Sequence, residues 1–357
     1  MAKRSKKQEK RKKKMRTLIL LLFLTIIMLG TSTYAWFTAN KVVTINALNV
    51  QVQTAGGIQI STNAKDWKSV ITKSDITTGY SYNSGAVASV NQVPTEVTAV
   101  SSNCLANSSG TDQGRINMFS SVITNNASTG KYDITTVKEN DANGTTGKYI
   151  AFDVFLRLDS QSTVYMTPES NVTKVGNEER GLKNAARVAF IQLGQGLSST
   201  AYETMAAWNT PAGVKVWEPN YDAHTDVVIN SVAPEYGVTL SQTNGVYDPV
   251  AYKGVSSVTG PQDLIATVKG NPIQAGTAAV TVNFRTKETN TEYITFYENM
   301  PAGVTKYRIY MWVEGQDIDC ENNATGSEIS YKVVLSTSNN PAETGGASGS
   351  SAAASSS

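Results

Sequence analysis

Residues 149–158 read YIAFDVFLRL, and this stretch decides the fold that the sequence predicts. Its large apolar residues recur at every second position, a period that places them on one face of a β-strand. They are Ile150, Phe152, Val154, Leu156 and Leu158. Asp153 and Arg157 fall on the opposite face. The pattern predicts a strand whose apolar face packs against the core.

Other alternating stretches occur on both sides of this strand, between turn-forming residues. Thr38–Thr54 alternates in two registers that slip at Ala47–Leu48, which predicts either a bulge or two strands. The later predicted strands are Arg187–Leu193, Ala278–Arg285, Glu292–Tyr297, Lys306–Glu314 and Ile329–Leu335. We expect the last two to form an antiparallel pair.

Helical patterns are short and few, at Asn177–Ala186 and Ala201–Trp208. Residues 74–148 are rich in Ser, Thr, Asn and Gly, which predicts long loops with short strands or an insertion into the main sheet framework. The whole pattern predicts an all-β protein, a jelly-roll-like β-sandwich over residues 38–337 with long loops and one or two short helices. Residues 338–357 lack periodicity, and we expect a disordered tail there.

The first 37 residues have the pattern of an export signal. Residues 1–16 contain ten Lys/Arg and one Glu, and residues 17–37 read TLILLLFLTIIMLGTSTYAWF. Such a basic segment stays in the cytoplasm while the apolar segment enters the bilayer. We expect a signal helix that is either cleaved by a signal peptidase or kept as a membrane anchor. The chain from Thr38 onward is then exported, to the cell surface or beyond it.

The exported part is acidic and lacks familiar catalytic motifs. Without residues 1–16, 21 Lys/Arg stand against 28 Asp/Glu, a net charge of about −7, which argues against nucleic acid as a partner. A single histidine, His224, excludes a two-histidine zinc motif, and Gly194-Gln195-Gly196 lacks the third glycine of a dinucleotide fingerprint. We therefore predict no catalytic residues, no cofactor-binding residues and a surface or turn-capping role for His224.

Two groups of residues are candidates for stabilising or binding roles. Cys104 and Cys320 would be exported to a compartment where disulfides persist, so we expect either a bridge between them or two buried thiols. Glu314, Asp317 and Asp319 crowd one loop and offer the oxygen ligands that calcium takes. The alternative for these three is a solvated polar hairpin loop.

GTSTYAWFTANKVV at residues 30–43 resembles the signal-peptide end of Gram-positive exported proteins processed by the signal peptidase SipW, the TasA/camelysin-like group. YIAFDVFLRL, GLKNAARVAFI, VWEPNYDAH and YMWVEGQDIDC resemble stretches of large, uncharacterised relatives. The resemblance implies a jelly roll that assembles outside the cell, with an N-terminal strand completing the next subunit's sheet. Camelysin-like proteins are also catalogued as metallopeptidases, but this sequence lacks a histidine-based zinc motif, so we do not carry that activity over.

Two functional hypotheses follow. The first is a non-enzymatic surface or biofilm-matrix subunit that polymerises with itself by donating the strand in Thr38–Thr54, because strand edges are templates for pairing. The apolar candidates for donation are Val43, Ile45, Leu48, Val50 and Val52. The alternative for this segment is the first strand of its own sandwich. The second hypothesis is a monomeric adhesin or binding module, anchored in the membrane through residues 17–37.

Overall fold

The computed structural model describes residues 44–78, 89–175, 181–220, 223–232, 293–315, 319–320 and 328–339, Asp317, and short pieces between residues 240 and 285. The predicted basic segment and signal helix, and most of the predicted tail, lie outside these ranges. Within them, no helix combines the length and the apolar character needed to cross a membrane.

Strands dominate the described elements. In chain order they are β1 (Thr44–Ala55), β2 (Gln59–Ser61), β3 (Val70–Thr72), β4 (Asn91–Gln92), β5 (Glu96–Thr98), β6 (Met118–Asn126), β7 (Lys131–Glu139), β8 (Asn143–Gly144), β9 (Ile150–Leu158), β10 (Ser162–Met166), β11 (Asn171–Val175), β12 (Ala186–Gly196), β13 (Gly213–Glu218), β14 (Gln242–Thr243), β15 (Val246–Tyr247), β16 (Gln262–Asp263), β17 (Phe284–Arg285), β18 (Ile294–Met300), β19 (Gly303–Val313) and β20 (Glu328–Ser336). The described helical elements are α1 (Lys73–Thr78), α2 (Tyr202–Ala207) and a π-helical turn at Val228–Val232.

Most strands belong to two large sheets. The first sheet has the order β18-β10-β20-β1-β3, with β11 also paired to β20 and β5 to β1. The second sheet has the order β17-β13-β12-β19-β9-β4-β8, with β2 also paired to β9. Smaller sheets are formed by β14-β15 and by β16-β7-β6. The prediction of an all-β protein is confirmed.

The two large sheets share one apolar core. The five alternating residues of β9 all lie in it, as the period of two predicted. Alternate residues of the neighbouring β19 join them, and from the first sheet Val52, Val333 and Leu335 pack against the same cluster. The central strands of both sheets therefore meet through one set of buried side chains.

The opposite face of the second sheet is also buried. Asp153, on that face of β9, is only 2% exposed. A second apolar cluster covers this face, in which Val100 and Met118 from residues 89–118 pack with Ala151, Tyr310 and Trp312 of the sheet. Residues 74–148, predicted as long loops or an insertion, thus contribute a layer of cover, and their strands β4 and β8 extend the second sheet.

Local predictions and pairing predictions had different outcomes. A register shift between Ala47 and Asn49 confirms the bulge in β1, and α2 confirms a helical turn within Ala201–Trp208. The helix predicted at Asn177–Ala186 is wrong where the chain is described, because residues 182–184 form a turn and β12 begins at Ala186. The antiparallel pair of β19 with β20 is also wrong, because each strand joins a different sheet and their apolar faces meet across the core.

Replacing Phe152 by alanine should lower the free energy of unfolding by about 3–5 kcal/mol, because the ring is lost from a site that is 1% exposed. Leu197→Ala is the control, since this side chain is 69% exposed and its loss should cost less than about 0.5 kcal/mol. Chemical denaturation measures both values. Wild-type stability in the Phe152→Ala variant would contradict the shared core.

Candidate functional site

The candidate functional site is the slot that β1 occupies in the first sheet. On one side, Asn46–Ala55 pairs in parallel with Glu328–Ser336 of β20. On the other side, β3 pairs with residues 51–53 and β5 pairs with residues 44–46, both antiparallel. Residues 47–50 have no strand partner on that second side among the described strands. β1 is therefore paired along most of one edge and only in part along the other.

The residues predicted for strand donation have different positions in this slot. Val43 lies outside the described residues. By backbone register, Ile45 is opposite Val97, Leu48 is at the bulge, Val50 is opposite Tyr331, and Val52 is opposite Val333 and Ile71. Val52 is fully buried in the shared core. In the single chain, β1 is thus a strand of its own sheet, which is the alternative that the sequence left open.

The end of β1 is a two-glycine turn. Gly56 and Gly57 have φ angles of 67° and 83°, in the left-handed region that glycine adopts without steric cost. A Cβ atom on Gly56 would lie 2.5 Å from Oγ1 of Thr337, so this position also needs glycine for space. The hydroxyl of Thr337 donates a hydrogen bond to the Gly56 carbonyl. This contact ties the end of β1 to the end of β20.

The three acidic residues predicted as calcium ligands after β19 are bound to other side chains of the described chain. Glu314 is fully buried and its Oε2 accepts a hydrogen bond of 3.1 Å from the indole of Trp312. Asp317 forms an ion pair with Arg187, whose Nε also lies 3.1 Å from Oε1 of Glu218. The guanidinium further donates to the carbonyls of residues 184 and 186. Arg187 therefore joins the start of β12 to the end of β13 and to the loop after β19.

Asp319 is held separately by His224. Its Oδ2 lies 2.7 Å from Nδ1 of His224, and both side chains are at most 3% exposed. Asn184 Nδ2 and the backbone N–H of Thr225 donate to the other oxygen, each at 3.3 Å. Burial raises the pKa of Asp319 to about 6, although the hydrogen bond with His224 opposes this rise. The predicted surface or turn-capping role of His224 is wrong, because the imidazole is buried and is hydrogen-bonded to Asp319.

These contacts bear on the calcium prediction. Glu314, Asp317 and Asp319 point to an indole, a guanidinium and an imidazole in turn, rather than to a common point. No group of three or more potential metal ligands occurs in the part of the chain that the structure describes. The structure therefore gives no support to a calcium site at these residues.

The predicted disulfide between Cys104 and Cys320 is wrong, because both residues are buried thiols. Cys320 belongs to the core between the sheets, whereas Cys104 belongs to the cluster on the outer face of the second sheet. The sheet thus separates the two side chains, and a bridge needs Cα atoms within about 7 Å of each other. The second alternative for these residues, two buried thiols, is the one that the fold contains.

A buried ionic network was missed by sequence reasoning. Asp153 accepts from Arg308 Nε at 2.7 Å and Nη2 at 3.1 Å, and Lys306 Nζ lies 3.1 Å from its Oδ2. All three side chains are fully buried. Lys306 also donates to the carbonyls of Ala206 and Trp208, and Arg308 donates to that of Gly114. The network fastens two covering segments to the sheet, and charges at alternate positions of apolar strands were its only sequence signal.

The Gly194-Gln195-Gly196 run also has a structural explanation. A Cβ at Gly194 would lie 2.5 Å from Cγ of Trp208, and one at Gly196 would lie 2.9 Å from Cζ2 of the same ring. The two glycines thus form a flat surface for the indole of Trp208. The backbone carbonyl of the same residue accepts a hydrogen bond from Nζ of Lys306. The run serves packing against the covering segment rather than phosphate binding.

Comparisons with known proteins identify no family for this chain. No protein-family model matches it, and no curated protein or solved structure matches it either. The resemblance to TasA/camelysin-like proteins therefore remains a hypothesis.

Both thiols should react with a thiol reagent in the denatured protein without prior reduction, because the fold keeps Cys104 and Cys320 apart. In the native protein the same reaction should be slow, since both side chains are buried. Absorbance of the released chromophore gives the number of thiols per chain. Thiols that react only after reduction would show that the two cysteines form a disulfide.

Replacing Asp153 by asparagine should lower the free energy of unfolding by about 3–5 kcal/mol, because two buried cations lose their carboxylate. The matched control is Asp112→Asn, which breaks a pair with Lys138 whose side chains are a third or more exposed and should cost less than about 1 kcal/mol. Denaturant titration of both variants measures the difference. Equal effects would contradict a supporting role for the buried network.

The stability difference between wild type and Asp153→Asn should also depend on pH. Burial alone would raise the pKa of Asp153, but Arg308 and Lys306 together lower it below its ordinary value. The carboxylate therefore contributes its full stabilisation above the unfolded-state pKa of about 3.9, and this contribution is lost as the pH falls through the lower folded-state pKa. The stability difference between wild type and Asp153→Asn should be constant near neutral pH and shrink in acid.

Proposed function

We propose that this chain is a non-enzymatic subunit of an extracellular fibre or matrix layer, and that it assembles by exchange of β1 between neighbouring chains. The observation that carries this proposal is the place of β1. It is the first described strand, it begins seven residues after the end of the predicted export signal, and it lies in the interior of the first sheet, between β20 on one side and β3 and β5 on the other. The fold proposed is a jelly-roll-like sandwich, which two sheets around one core support.

Removal of β1 would leave an empty slot in the first sheet that only a strand of matching apolar pattern can fill. The backbone of Glu328–Ser336 would lose its parallel partner, and the core would be open where Val52 now lies. Unpaired strand edges readily take another strand of suitable pattern. The β1 segment of a second copy has that pattern, because its sequence is the same. Exchange thus replaces each contact within the chain by the same contact between chains.

The Gly56–Gly57 turn is suited to be the hinge of this exchange. It separates β1 from β2, which belongs to the second sheet and pairs with β9. Both glycines have access to backbone conformations that other residues disfavour, so β1 can leave in a new direction while β2 stays paired.

Exchange of one terminal strand gives an open assembly. Each chain donates β1 at one surface and accepts at another, which is a head-to-tail contact that extends into a filament unless it closes into a ring. Signal cleavage by a signal peptidase would free the donor end. A retained segment 17–37 would instead tether the chain to the membrane.

The alternative function is a monomeric, membrane-anchored adhesin or binding module. The observation that favours it is that β1 already completes its own sheet in the single chain. An anchored chain with β1 in this position needs no partner copy.

Cross-linking can distinguish β1 that is paired within its own chain from β1 that is exchanged between chains. Gln51 and Lys332 are register partners in β1 and β20, so Gln51→Cys with Lys332→Cys should form a disulfide on oxidation. If β1 is exchanged, this bond joins two chains, and assembled protein should run as a covalent ladder on a non-reducing gel. The native thiols are buried and do not compete in the folded protein.

The matched control is Gln59→Cys with Arg157→Cys, a register pair between β2 and β9 on the other side of the hinge. This pair should cross-link within one chain in fibres and monomers alike. Protein lacking residues 38–47 should stay folded and cap filaments of the full-length chain. Fibres in which Gln51→Cys and Lys332→Cys join only within single chains would rule out exchange of β1.

A further inference from the structure

One end of the outer face of the second sheet carries a group of partly exposed aromatic side chains. Trp67, Tyr202 and Trp208 are half-buried and pack against one small apolar cluster, which includes Phe155 of β9 and Val304 of β19. The other tryptophans of the described chain are fully buried in the two larger clusters. Partly exposed Trp and Tyr are typical of binding surfaces, because they offer a large apolar area together with a polar atom.

Two of these rings each carry a cation. The guanidinium carbon of Arg157 lies 4.4 Å from the ring centroid of Trp67, and Nζ of Lys65 lies 3.5 Å from that of Tyr202. Contacts of this kind are favourable and fix the position of an otherwise mobile charge. Lys65 and Trp67 are two residues apart, so their Cα atoms lie within about 7 Å of each other. The two cation–ring pairs are therefore neighbours on one surface.

Arg157 is oriented so that part of its guanidinium remains available. Its Nε donates to Oε1 of Gln59 at 2.8 Å, and its Nη2 donates to the same oxygen. This contact uses one N–H of each nitrogen, and Arg157 forms no ion pair within the described part of the chain. The N–H groups of Nη1 and the outer N–H of Nη2 are left over. Such a pair of parallel N–H groups fits the two oxygens of a carboxylate.

The loop between β2 and β3, which presents one of the cations and one of the rings, is fixed in place. Backbone hydrogen bonds of 2.8 and 2.9 Å join Ile60 to Lys68 and close it. Inside the loop, Oδ1 of Asn63 accepts from the backbone N–H groups of residues 65 and 66, each at 2.9 Å. The amide of Asn63 also donates to the carboxylate of Asp66 at 2.7 Å. A loop that is already ordered loses little conformational entropy when a ligand binds.

The surface lies at the end of the domain opposite to the point where the chain enters. β1 runs from Thr44 for 12 residues, about 40 Å at roughly 3.3 Å per residue, to the Gly56–Gly57 turn. β2 follows this turn and places Gln59 opposite Arg157 of β9. In a chain anchored through residues 17–37, the surface would lie at the far end of β1 from the anchor.

We propose that this surface binds an acidic polysaccharide whose sugar rings carry carboxylates. One carboxylate is held by the remaining N–H pair of Arg157 and another lies at the ammonium of Lys65, while the apolar C–H face of a sugar ring packs on the exposed parts of Trp67 and Tyr202. Fixed cations beside partly exposed rings match a polymer that has both charges and apolar ring faces along its length. The surface belongs to the second sheet and its loops, so this binding does not depend on exchange of β1.

Binding can be tested by calorimetry with polygalacturonate fragments and the full exported chain. We expect saturable binding of these fragments. Their methyl esters, which keep the sugar rings but lose the charges, should bind at least tenfold more weakly. Polyglutamate of equal length, which keeps the charges but lacks sugar rings, should also bind at least tenfold more weakly.

Variants test the named side chains. Arg157→Gln should weaken the affinity for polygalacturonate at least tenfold, and Arg157→Lys should recover only part of this loss, because an ammonium lacks the paired N–H groups. Trp67→Leu should weaken the affinity about threefold to tenfold. Lys332→Gln is the matched control, since it removes one positive charge from a half-buried lysine of the first sheet and should leave the affinity unchanged.

A second readout uses the wild-type chain and does not depend on folding of the variants. Modification of Arg157 by phenylglyoxal, followed by mass spectrometry, should be slowed at least fivefold by saturating polygalacturonate. Four results would overturn the proposal: no binding of polygalacturonate, equal binding of its methyl ester or of polyglutamate, an unchanged affinity in a folded Arg157→Gln variant, or no protection of Arg157.

Discussion

Burial of both faces of the second sheet is the constraint on which the rest of the structure depends. A strand with one face in solvent carries charges freely, but Asp153, Lys306 and Arg308 lie on a covered face and have no access to water. Buried charges are tolerated only when they are paired and fully hydrogen-bonded. Here the cations bind the carboxylate and also hold the carbonyls of the covering segments. The ionic network and the apolar cover therefore stabilise each other.

The first sheet is organised differently, because its central pair joins the two ends of the domain. β1 and β20 are more than 270 residues apart in sequence, yet they lie side by side in parallel. Contacts between such distant segments form only after a large loss of chain entropy. The central strands of the second sheet, by contrast, pair with one another without β1. A strand that is held by such distant contacts and is followed by a two-glycine turn suits the exchange that we propose for β1.

Polar side chains in this fold belong to two kinds of environment. Around Arg187 and His224, acidic groups are matched with protein donors, and this matching fixes the loop after β19 against β12 and β13. The buried hydroxyl of Tyr307, by contrast, has no such partner in the described chain. Matched groups hold the structure together, whereas an unmatched buried group lowers its stability.

The amino-acid sequence by itself determined β9 with its inward face and the bulge in β1, because alternation along β9 and the slip at Ala47–Leu48 are properties of neighbouring residues. It did not determine the strands β6 and β7 within residues 74–148, where alternation is weak. It did not determine which strands pair: β19 and β20 are consecutive strands in different sheets. Nor did it show that Asp153 is buried, that Cys104 and Cys320 are separated, or that Asp319 meets His224. Only the tertiary structure decided these points, because each depends on side chains brought together from distant parts of the chain. The local alternation of apolar residues carries no information about such long-range contacts.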